Sequence, residues 1–464
     1  MAPTWLPHAL TATRYPADIH TNPTRLQNAR ALPLIRERRP AARPARRGTT
    51  PTIDGGLTCL LAGLLWGACG VDGPAVTLVV EEVTSPAGEG SGEPFLSSVG
   101  DTVFMSWLEA TGAGRHELRF ATYVRGAWDV PRVIAASDRF FVNWADFPSV
   151  TPGPDGTLWA HWLERGAEGG YDYGIRIVRS VDGGATWSAP WTPHEDGTPT
   201  EHGFVSTVGT GDGLGFLWLD GRRFVEGPDG LPRTEEMALY FRTADGTGHA
   251  GSETVVDARV CDCCQTDMAL TADGPVAVYR DRSEGEIRDI RVRRYRGGAW
   301  TEGEIVHEDG WETAACPVNG PAVAARGEDV AVAWFTAAGG VPRVNLALSD
   351  DAAATFGEPL LVDGGNPSGR VDVVMLPEGA VLVSWLERTG GEWAEVRARW
   401  VGPDGRMGES VSVSPSSGER ASGFPRLAAS SDYSLLVAWT DVTELAPRVR
   451  VARITLETAA GEGT

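Results

Sequence analysis

The chain contains no lysine; all 41 of its basic residues are arginine, a bias from which no function follows. Cysteine is scarce. Six occur in 464 residues, and Cys59 and Cys69 fall near the N-terminus, which excludes a small scaffold held together by a disulfide framework. Long hydrophobic runs are also missing: the strongest, Leu57–Cys69, is short of the roughly 20 residues a helix needs to span a bilayer. Positive charge is concentrated at one end. Residues 1–69 carry nine Arg against Asp18, Glu37 and Asp54, so the remainder holds about −27 against the total of −21. A surface that acidic repels phosphate backbones and argues against nucleic acid as a partner.

What is abundant is turn-forming sequence. The 58 Gly and 31 Pro are spread evenly instead of gathering in one linker, the pattern of many short strands joined by turns. Seven segments share an apolar strand that ends in an aromatic, usually with an acid two residues later: VFMSWLE, LWAHWLE, LGFLWLD, VAVYRD, VAVAWFT, VLVSWLE and LLVAWTD. Their aromatics, Trp107, Trp162, Trp218, Tyr279, Trp334, Trp385 and Trp439, are 55, 56, 61, 55, 51 and 54 residues apart. A period near fifty with several strands per unit predicts an all-β fold, a β-propeller of four-stranded blades.

Within the second unit, FPSVTPG, LWAHWLE, GIRIVRS and WSAPWTP read as the four strands in order. The last unit lacks a good fourth strand, whereas VTLVVEEVTS (Val76–Ser85) precedes the first without a partner. The N-terminal strand is therefore expected to complete the last blade, since closing the ring removes exposed sheet edges. This places one propeller domain over residues 76–458, with a leader at 1–70 and a tail at 459–464.

The leader has the layout of a secretory signal. Arg36, Arg38, Arg39, Arg43, Arg46 and Arg47 precede the apolar run, and Gly67-Ala68-Cys69 resembles a lipobox in which Cys69 is lipidated. The expectation is an exported protein, periplasmic or at the cell surface, meeting the membrane only through that lipid. A disordered tail with an incidental apolar helix is the alternative.

One turn carries a family resemblance. Ser180-Val181-Asp182-Gly183-Gly184-Ala185-Thr186-Trp187 matches Ser-x-Asp-x-Gly-x-Thr-Trp and lies between a third and a fourth strand, and Ser349–Phe356 is a decayed second copy. On these residues the sequence resembles the sialidase / Asp-box superfamily of β-propellers, which implies a glycoside hydrolase of the exo-sialidase type. Sialidases of that superfamily have six blades, against the seven units counted here, so both counts stay open; their Phe/Tyr-Arg-Ile-Pro segment is absent. The resemblance also implies a cluster of Arg that holds a carboxylate, with a Tyr and Glu pair as nucleophile and base.

Blade geometry says which residues can meet. Loops leading into first strands and those leaving second strands share one face, and the turn at Ser180–Trp187 lies on the other. The binding face then collects Asn143, Asp146, His202, Cys261, Cys263, Cys264, Cys316, Asn319, Arg370 and Arg420 from the first set, and Arg222, Arg223, Arg280, Arg282, Glu286 and Arg288 from the second. Arginines of this kind hold a carboxylate bidentately, and adjacent carboxyls serve as acid or base. The expected catalytic residues are Asp146, Glu286, Arg280, Arg288 and Arg370. Asn143, His202, Arg222, Arg223, Arg282, Asn319 and Arg420 are expected to bind an acidic glycan or another anionic small ligand. The repeated acids have a plainer reading as turn formers at strand ends.

The four remaining cysteines converge on the same face. In an exported protein they form disulfides, Cys316 bridging to one of the other three; alternatively thiolates with His202 hold copper or zinc, or a thiol is reactive. Three classes remain open: a glycosidase of acidic glycans, a non-catalytic binding or assembly propeller, and a metalloprotein.

Overall fold

The structure is a computed structural model and describes residues 76–167, 169–224, 236–431 and 433–458. The leader with Cys69 and the tail from 459 lie outside these residues. Seven antiparallel sheets follow one another along the chain, one for each of the seven repeated aromatics. Blade one begins at Ser91–Val99 and blade seven at Arg426–Ser431. The N-terminal strand Val76–Val83 pairs along its whole length with the last strand, Arg448–Thr458, in the sheet of blade seven, so the ring closes as the unpartnered strand predicts. The first strands of neighbouring blades touch around the ring, and that of blade seven touches that of blade one.

The reason for the repeat is visible in the packing. Seven buried apolar clusters lie between consecutive sheets, so each blade is stabilised by its neighbours rather than by itself. All seven repeated aromatics are buried. A ring burying 150–250 Å² contributes on the order of 4–6 kcal/mol before its entropy cost. In three blades the indole N–H is satisfied by the acid two residues on: Trp107 donates to Glu109 at 3.1 Å, Trp218 to Asp220 at 2.8 Å and Trp385 to Glu387 at 2.5 Å, while Trp334 donates to Asp309 and Trp162 and Trp439 have no such bond among the described residues. In those three blades the repeated acid keeps a buried donor paired.

One strand departs from expectation. Blade two has three strands, and WSAPWTP makes a single bridge, Ile177 to Trp191. Pro190 and Pro193 flank that bridge and remove the ladder donors a full strand requires.

Two turns on the opposite face fold alike. Asp182 accepts from the Thr186 amide at 2.9 Å and hydroxyl at 2.6 Å, and Asp351 accepts from the Thr355 amide and hydroxyl at the same distances. Trp187 packs edge-on against Phe120 of the preceding blade.

Candidate functional site

Polar side chains of one blade clasp the backbone of the next around the channel. Asp146 accepts from the Phe204 amide at 2.8 Å, Gln265 from Gly320 at 3.0 Å, Asn319 from Arg370 at 2.7 Å and Thr440 from Glu93 at 3.2 Å. Phe204, Arg370 and Glu93 have positive φ at bulges in their first strands, so these bonds hold strained backbone in place. Asp146 and Asn319 therefore occupy equivalent positions, one with a carboxyl and the other with an amide. Asn143 caps the same loop as Asp146, accepting from the Ala145 amide at 2.9 Å.

The arginines expected at the site divide into two groups. Arg280 and Arg370 point into the protein. Arg280 donates to the carbonyls of Asn319, Arg288 and Phe335 at 2.6–2.9 Å. Arg370 donates to Ser422 Oγ at 2.6 Å and to the carbonyls of Gly423 and Glu419, and lies over Trp144. Burial, then the charges of Arg388 and Arg420, lower Arg370 to about 9. Arg282 and Arg288 instead pair with Glu286 at 2.9 and 2.8 Å, and Arg282 also meets Asp262 at 3.0 Å. Those hydrogen bonds, led by the one from Arg282, hold Glu286 below its usual range as a charged carboxylate. Arg222 pairs with Asp220 at 2.6 Å and Glu253 at 3.0 Å, while Arg223 donates to the Ala258 carbonyl.

The titratable group that stands out lies between blades two and three. Tyr173 begins the third strand of blade two, stacked on Phe141 with centroids 3.9 Å apart. Its hydroxyl donates to Asp146 at 3.4 Å, with Glu201 beside it. Gly203 permits this approach, because a Cβ there would lie 2.1 Å from the Asp146 carboxylate and 2.9 Å from the Tyr173 ring. Burial raises Asp146 to about 7, partly opposed by the Phe204 and Tyr173 hydrogen bonds. Burial, then the charges of Asp262 and Asp146, raise Glu201 to about 8. Burial and both carboxylates push Tyr173 well above its usual value. Asp262 is also raised, by burial against the pull of Arg282 and Arg288.

Tyr173 and Glu201 were not among the residues expected from sequence. Glu201 directly precedes His202, which was, and Tyr173 starts a third strand, a position outside the two sets of loops considered. Across the mouth, Arg388 and Arg420 are exposed, and among the described residues neither makes an ion pair. Tyr171 connects the two sides: the charge on Glu201 raises it after burial does, and Arg420 lowers it.

His202 belongs to a different set from the cysteines. Its Nε2 lies 3.1 Å from Asp196 and its Nδ1 3.0 Å from the Thr200 carbonyl, with His194 stacked on it at 3.8 Å. His194 Nε2 accepts from the Ile175 amide, which puts the ring proton on Nδ1 toward Asp196 and leaves no lone pair for an ion. Both His line a cavity of about 160 Å³ with Arg139, Glu164 and Arg176. Among the cysteines, Cys263 is bonded to Cys316, leaving Cys261 and Cys264 as thiols. The sulfurs of Cys261, Cys263 and Cys264 and the side chains of His194, Asp196 and His202 each gather within 4.8 Å as separate groups, so the structure does not bring His202 to the cysteines as one ligand set.

No family profile and no curated protein matches the chain. Among solved structures, a lectin from Burkholderia pseudomallei is similar over 82% of this chain and 96% of its own, at 13% identity and a TM-score of 0.50. An alpha-L-arabinanase from Penicillium chrysogenum complexed with arabinobiose covers 81% and 98% (13% identity, TM-score 0.47), and a Hadza microbial sialidase 75% and 74% (13%, 0.43). At such identity the likeness concerns the fold alone, a β-propeller shared with the lectin.

Proposed function

We propose that the chain is a glycan-acting propeller that hydrolyses a glycoside of an acidic sugar at the mouth lined by blades two, three, four, six and seven. The observation that carries this reading is the Tyr173 hydroxyl bonded to Asp146 beside Glu201, with Arg388 and Arg420, which make no ion pair among the described residues, on the far side. The arginines take the sugar carboxylate. In the ionised form of Glu201, populated as the pH approaches about 8, Tyr173 Oη attacks the anomeric carbon, its proton passes to the Glu201 carboxylate, and the bond to the leaving oxygen breaks. Asp262 protonates that oxygen; of the two carboxyls acting on Glu201 it is the more exposed, partly buried where Asp146 is buried. Water then releases the sugar from Tyr173 with the proton transfers reversed.

The test is hydrolysis of a fluorogenic sialoside by the full chain. Turnover that is lost in Tyr173→Phe and weakened in Arg420→Gln supports the reading. Saturable sialoside binding without turnover in wild type would replace it with a lectin-like one, a second reading favoured by the burial of Tyr173, which is 2% exposed.

A further inference from the structure

Four cysteines meet where the loops into blades four and five adjoin. Cys261 and Cys264 are buried, with their sulfurs 2.7 Å apart, and the sulfur of Cys263 lies within 4.8 Å of both. Cys263 is bonded to Cys316, which is partly exposed. Two buried guanidinium groups act on this cluster. Arg280 spends its hydrogen bonds on three carbonyls and, among the described residues, makes no ion pair. A buried cation without an anion is costly by several kcal/mol, so a neighbouring thiolate is favoured. Burial alone would push the Cys261 thiol up, but the hydrogen bond from Cys264, the charge on Arg288, the Cys263 amide and the charge on Arg280 together bring it down to about 7. Cys264 is held well above its usual value by burial and by that same partner, so it keeps its proton.

We infer that these cysteines form a thiol–disulfide exchange site in which Cys261 attacks Cys263 and frees Cys316 at the mouth of the propeller. The thiolate electron pair of Cys261 forms the bond to Cys263 as the Cys263–Cys316 bond breaks, and the leaving pair remains on Cys316 as its thiolate. Cys264 then attacks Cys261 and gives its proton to Cys263 as that sulfur leaves. One disulfide exists before and after, so no external oxidant is required. The product carries a Cys261–Cys264 bond and a Cys316 sulfur able to exchange with an outside thiol or disulfide.

The experiment uses the full chain, purified without reductant and treated in the folded state with N-ethylmaleimide at pH 7.5. It is then unfolded, reduced, labelled with a second maleimide and mapped by peptide mass spectrometry. In wild type the first label is expected on Cys316 and Cys263, with Cys261 and Cys264 taking the second. Cys261→Ser should lower first labelling of Cys316 about tenfold. In Cys264→Ser, exchange should stop halfway, with Cys316 labelled and Cys263 protected. Circular dichroism in the aromatic region checks that each variant is folded. Equal Cys316 labelling in wild type and Cys261→Ser overturns the inference, as does the absence of Cys316 labelling in wild type. Two disulfides in the purified protein, or a metal ion bound by free thiols, overturn it equally.

Discussion

Two charged clusters share the mouth, built from the same residue types and behaving in opposite ways. Around Glu286, three arginines approach one carboxylate: Arg282 and Arg288 bond to it and Arg259 lies 3.8 Å away, so it stays ionised and occupied. Around Tyr173, carboxyls and a phenol crowd together with no cation among their bonds in the described residues, so Asp146 and Glu201 keep protons near neutral pH. Density of charge along the sequence marks the first cluster, and scarcity of compensating charge in space marks the second. The second is the one with spare proton chemistry.

Substitutions can break that contrast. The largest effect is expected from Tyr173→Phe and Glu201→Gln, each lowering kcat for an acidic glycoside by about 10²–10⁴-fold, whereas Glu286→Gln changes it little. Next, Arg388→Gln and Arg420→Gln are each expected to raise KM by about tenfold or more, the loss of a charge-assisted hydrogen bond, with kcat less affected. Steady-state kinetics on the sialoside separates these outcomes.

Asp146→Asn sharpens the comparison further, because Asn319 makes the equivalent clasp in blade five with an amide. The variant should fold. Removing a negative charge beside Glu201 should move the rising limb of the pH–rate profile to lower pH. Its effect on stability has a definite sign. Asp146 is raised in the folded state, so its contribution is fully present below its unfolded value of 3.8 and is lost as pH rises through about 7. Thermal melts of wild type should therefore show a decline between pH 4 and 8 that is smaller in Asp146→Asn.

The smallest effect is away from the mouth. Gly183 and Gly184 take φ of 69° and 86° in the first of the paired turns, and Ala352 and Ala353 take 56° and 63° in the second. A left-handed alanine costs roughly 1–2 kcal/mol, so Ala353→Gly should stabilise the protein by about 1 kcal/mol in a denaturant titration. Gly184 tolerates no such exchange in reverse, since a Cβ there would stand 2.2 Å from the Phe120 ring.

The fold was legible because its core repeats: Trp107 through Trp439 occupy the same place in seven sheets, and the unpaired Val76–Val83 segment announces how the ring closes. The site was less so. Arg280 and Arg370 look like Arg420 in sequence, yet the first two are turned inward by carbonyls of Phe335 and Gly423, which lie more than fifty residues away in the chain. Tyr173 gains its character from Glu201 and Asp146 on neighbouring loops, and no local pattern signals that meeting.

The pairing of Val76 with Thr458 also orders events in time. During synthesis the first strand to emerge has no partner until the last one is made, so the final blade cannot assemble on a growing chain. Six blades can accumulate while two sheet edges wait open, and a chain cut short before residue 448 would carry both edges permanently. Ring closure across so long a loop is slow relative to local hairpin formation, which makes the last blade the natural rate-limiting step and the natural point of failure by aggregation.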